Sequence, residues 1–86
     1  MTTEQAGMPR FYFPSWNGDR FLGDEEGVEV GGADEARVLA VESLLEMAAD
    51  VLQPVAEERV LRVCLTGPGQ ERLGEFRLIF QVLGQH

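Results

Sequence analysis

Eighty-six residues make a single domain with one thin core, because a chain this short buries about 60–65% of the surface it exposes when unfolded. Fifteen Asp and Glu against seven Arg and no Lys leave a net charge of −8, which argues against a protein that grips nucleic-acid phosphates. No run approaches the roughly 18 apolar residues of a membrane span, and MTTEQAGMPR lacks the basic-then-apolar pattern of a secretory signal. A cytoplasmic protein is therefore expected. The single cysteine, Cys64, builds neither a disulfide framework nor a thiolate metal site.

Residues 1–7 are polar and aperiodic and are expected to form a flexible extension, with one α+β domain over 8–86. Arg10 to Phe13 is rich in strand formers, and Pro14 follows where an edge or bulge tolerates it. Trp16-Asn17-Gly18-Asp19 predicts a hairpin turn centred on Asn17-Gly18, with positive φ available at both. Arg20 to Gly23 returns as a second strand, and Glu25 to Val30 turns again into a short third segment. After Gly31-Gly32, the window ADEARVLAVESLLEMAADVLQ predicts a helix ended by Pro54. Its expected apolar face holds Ala33, Ala40, Val41, Leu44, Leu45, Met47, Ala48, Val51 and Leu52. Arg59 to Thr66 alternates with period two, Gly67-Pro68-Gly69-Gln70 is turn chemistry, and 73–83 alternates again as a final strand.

The order β-β-(β)-α-β-β predicts an antiparallel sheet of about four strands with one helix on one face. The core is expected to join that helix to Phe11, Phe13, Leu61, Val63, Leu65, Phe76, Leu78 and Phe80. The opposite face then carries Tyr12, Trp16, Val60, Cys64 and Ile79, interleaved with Arg10, Arg62, Glu75 and Arg77. Aromatics beside arginine are the combination enriched at interface anchors. Tyr12, Trp16, Val60, Arg62, Cys64, Arg77 and Ile79 are therefore the expected interaction face, and a homodimer through it is the leading expectation.

Other sites fit poorly. The acids Asp19, Asp24, Glu25, Glu26 and Glu29 could supply a cation loop, but from Asp19 the third and fifth positions are Phe21 and Gly23, which fails the EF-hand spacing. The only histidine is the terminal His86, so Cys64 has no well-placed base. Gly31-Gly32 lacks both nucleotide-loop patterns, and Asp34 and Glu35 behind it would repel phosphate. No catalytic residue, cofactor or metal is expected, and the acidic turn stands only as a less favoured metal-binding alternative.

The run MPRFYFPSWNGDRFLGDEEGVEV, followed by a helix with LLEMAADVL, resembles a family of small bacterial proteins of unknown function. Its members open with M-P-R-[FY]-[FY]-F, continue through an N-G-D or D-G-D turn, and carry D-x-E-G-x-E before a helix. Here these are Met8 to Phe13, Asn17 to Asp19 and Asp24 to Glu29. The resemblance implies a fold and no catalytic residues, and it makes Met8 the expected first residue of the usual product. Gly31-Gly32 departs from the Pro-Asp that members carry, which implies a weaker cap. A fainter similarity in element order runs to HicB-type antitoxins, which neutralise a small toxin by protein contact. It implies an antitoxin-like regulatory partner as the alternative function.

Overall fold

The computed structural model describes residues 8–51 and 58–84. The elements are β1 (Arg10–Phe11), β2 (Ser15–Asn17), β3 (Arg20–Leu22), β4 (Val28–Glu29), α1 (Ala33–Val51), β5 (Arg59–Thr66) and β6 (Arg72–Phe80). A four-stranded antiparallel sheet has the order β3-β2-β5-β6, and β1 pairs antiparallel with β4 beside it. The expected α+β architecture is therefore observed. Leu52, Pro54, the 1–7 extension and His86 lie outside the described residues.

The first expected strand is split, and Pro14 is the reason. Ser15 to Asn17 pair with Val63 to Leu61, and Tyr12 pairs with Thr66 through two 2.9 Å backbone bonds in the same register. Between them Cys64 N–H donates to the Pro14 carbonyl at 2.9 Å, but proline has no N–H to return the bond. One ladder bond is lost while the register continues from Asn17 to Tyr12. Residues of even number therefore keep one face along this whole segment and residues of odd number the other.

The β2–β3 turn differs from expectation by one residue. Asn17 pairs with Arg20 and Trp16 with Phe21, so Gly18 and Asp19 are the central pair. Gly18 takes φ +62° while Asp19 stays at negative φ, the pattern of a two-residue turn with glycine first. Moving a two-residue turn by one residue moves each cross-strand partner by two, so every side chain keeps its face. Phe21 therefore stands directly opposite Trp16 rather than opposite Pro14.

The helix packs on β5 and β6 through the odd-numbered residues of β5. Ala40 and Leu44 close on Leu61 and Val63, while Ala36 closes on Phe11 and Leu65. Phe13 and Phe76 pack against both groups, and Leu78, Met47, Ala48 and Val51 complete the first. Leu61, Val63 and Leu65 are the largest fully buried side chains, each stabilising by about 1.5–3 kcal/mol relative to exposure. Phe80 is only half-buried.

Three expected members of the helix face turn away. Val41 and Leu45 are exposed, and Ala33 with them, whereas Ala36, absent from the expected face, is fully buried. Ala36 and Ala40 are fully buried between the helix and the sheet. The apolar arc is then wider than the strands beneath it can cover. At the start of the helix the Glu35 carboxylate accepts from Gly31 N–H at 2.6 Å, supplementing Gly32, which has no side chain with which to cap. None of the helices of the described chain is long and apolar enough to cross a membrane.

Candidate interaction face

On the side of the sheet away from α1, pairing registers set Phe21, Trp16, Arg62 and Arg77 in one row across all four strands. The Trp16 and Phe21 rings lie 4.9 Å apart between centroids, tilted by 48°, and the Arg62 guanidinium carbon sits 4.4 Å from the Trp16 centroid. Such a stack restrains the orientation of the indole. Ile79, opposite Val60 in the next row, is 57% exposed, and Phe21 is 56% exposed. An open antiparallel face is usually polar. This one is aromatic and cationic.

Arg62 and Arg77 are directly opposed across β5 and β6, an arrangement that repels unless something compensates. Glu75 does so. Its Oε2 accepts from Arg77 Nε at 2.6 Å and lies 3.7 Å from Arg62 Nη1, while Oε1 accepts from Arg72. The Arg77 hydrogen bond, helped by the charges of Arg77, Arg62 and Arg72, holds the Glu75 carboxyl below the usual carboxylate range against the desolvation that raises it. A folded-state value below the unfolded one stabilises at pH above the ordinary carboxylate range and is lost as pH falls through the folded value. The thermal midpoint of Glu75→Gln should therefore trail the wild type most at neutral pH, and the gap should close in acid. Parallel melts across pH check this, and a constant gap would contradict it.

The acidic segment 24–29 forms a second constellation, and it is a lock. Asp24 spans the place where β3 has ended and β4 has not begun: its Oδ2 accepts from Phe13 N–H at 2.9 Å and its Oδ1 from Gly27 N–H at 3.0 Å. Arg10 donates to the Glu26 carbonyl at 2.6 Å and to the Glu29 carboxylate at 2.9 Å. Gly27 has φ +67°, and a Cβ there would lie 2.6 Å from the Phe11 carbonyl oxygen. Among the described residues no three His, Cys, Asp or Glu side chains gather as a metal site. Asp24 and Glu29 are instead committed to amides and to Arg10.

The sequence from residue 10 to residue 79, which holds both the lock and the open face, matches the family described as domain of unknown function DUF6894. The chain belongs to the DUF6894 family. No match to it was found among curated proteins or among solved structures.

Within this DUF6894 fold the expected interaction residues are mostly brought together. Trp16, Arg62, Arg77, Val60 and Ile79 share the open face, and Tyr12 keeps the same parity opposite Thr66. Cys64 has the right parity but is 8% exposed, so its thiol is no contact point. Arg10, expected among the interleaved charges, is drawn off to Glu26 and Glu29. Phe21 and Arg72 were not foreseen as members of the face. Phe21 keeps this face in either turn register, and the observed one sets it directly opposite Trp16. Arg72 needed the irregularity between Leu65 and Thr66, where pairing shifts so that Thr66 meets Arg72.

Proposed function

We propose that this DUF6894 protein is a non-enzymatic interaction module of the bacterial cytoplasm that self-associates through the open sheet face. The observation that carries the reading is the ordered row Phe21–Trp16–Arg62, with Ile79 exposed beside it. Aromatic and arginine side chains held in place before contact lose little freedom on binding, which is how interface anchors gain their strength. Arg10, Asp24, Gly27 and Glu29 tie the β1–β4 corner, and this fixes the strand that carries Trp16.

Trp16→Ser should weaken self-association about tenfold or more, the scale of a central aromatic anchor. Light scattering across a concentration series measures it, with circular dichroism confirming that the fold persists. A wild-type chain that stays monomeric at high micromolar concentration would remove the proposal.

A further inference from the structure

The open face is locally the reverse of the protein that bears it. Arg62, Arg72 and Arg77 converge on a single acid, Glu75, in a chain of net charge −8. Pairing this face with the same face of a second copy would set cationic centre against cationic centre. The occupant that complements it is already present in the fold, on the far side of the sheet.

Among the described residues, the outer side of α1 is the second surface left open to solvent. Val38, Val41 and Leu45 are 57%, 44% and 57% exposed, and their spacing of three and four residues aligns them in one stripe. A helix that covers a sheet ordinarily turns a polar face to water. The charges beside this stripe are acidic: Glu42 and Glu46 follow it along the exposed side, and the helix as a whole carries Asp34, Glu35, Glu42, Glu46 and Asp50 against Arg37. An apolar stripe bordered by carboxylates matches, in polarity and in sign, an aromatic face centred on arginines.

We infer that the open sheet face is covered by the outer side of α1 from a second copy, so that copies stack head to tail. This rests on the reading that the sheet face is the contact surface, and it names what lies against it. The contact joins two different surfaces, so each added copy still offers one free sheet face and one free helix face. Association then continues past a dimer, into a ring or an open stack. Because the attraction is partly between opposite charges, it weakens as salt is raised.

Two single substitutions at exposed positions separate the halves of the contact. Ile79→Glu spoils the sheet side and leaves the helix side intact, while Leu45→Lys does the reverse. Each alone should lose association about tenfold or more in sedimentation velocity, with circular dichroism unchanged. Mixed together they should form a 1:1 dimer and nothing larger, because the intact helix of one chain can seat on the intact sheet of the other. Wild-type association unaffected by Leu45→Lys but lost in Ile79→Glu would overturn the helix as occupant and leave the sheet-face reading standing. Association unaffected by Ile79→Glu, or a monomeric wild type, would overturn both. If each variant blocks association and the mixture stays monomeric, the head-to-tail arrangement is wrong.

Discussion

Gly27→Ala is expected to lower the thermal midpoint by roughly 10 °C or more, on the scale of 4–8 °C per kcal/mol for a domain of this size. Two costs combine at this position. Alanine at φ +67° must hold a left-handed backbone, which costs about 1–3 kcal/mol when the surroundings do not relax. Its Cβ would also press to 2.6 Å from the Phe11 carbonyl oxygen and to 2.9 Å from Arg10 Cγ and Tyr12 Cδ2. Backbone cannot swing aside as a flexible side chain can, so overpacking adds about 1–3 kcal/mol. Gly18 is the control. It has φ +62° but nothing within 4 Å of an added Cβ, so Gly18→Ala should cost only the first of these. Equal midpoints for the two variants would mean that the β1–β4 corner is not packed as described.

Asp24→Ala is the second large effect, at about 2–3 kcal/mol of unfolding free energy, the range for leaving part-buried amides without their charged acceptor. The carboxylate accepts from Phe13 N–H and Gly27 N–H, and it stands where the first strand has no neighbour on its outer edge. Asp24→Asn can keep one oxygen on one amide but turns an NH₂ toward the other, so it should fall between wild type and alanine. Denaturant unfolding of the three proteins checks the order. A neutral Asp24→Ala would mean that water replaces the carboxylate at no loss, and the segment would again be a solvated acidic turn.

Much of this fold was legible because its strong signals are local. The uninterrupted helix window, the period-two alternation of β5 and the turn residues at 67–70 each act over a few neighbouring positions. The parity of Phe11 and Phe13 against Tyr12 and Trp16 survived because Pro14 removes a bond without shifting the register. What was misread depends on contacts between distant residues. Asn17-Gly18 is a good turn pair by itself. Pairing to β5 on one side and β3 on the other places the turn at Gly18-Asp19, and so sets Phe21 directly opposite Trp16. Val41 and Leu45 are apolar and lie near the buried arc, but the sheet is too narrow to reach them. The role of Asp24 was hidden because its partner, Phe13 N–H, is 11 residues away. The left-handed residue of the last turn was also unmarked: it is Gln70, at φ +71°, rather than either glycine beside Pro68.

The central claim is that association covers the open sheet face, and the chain carries its own reporter there. Trp16 is the only tryptophan, and it lies in the centre of the row between Phe21 and Arg62. Acrylamide quenching of its fluorescence, followed from nanomolar to high micromolar protein, measures whether that face is occupied. The indole should be readily quenched in dilute solution and progressively protected as concentration rises, with protection lost in Ile79→Glu. Quenching that does not change with concentration, in a sample that light scattering finds associated, would place the contact elsewhere and contradict the account.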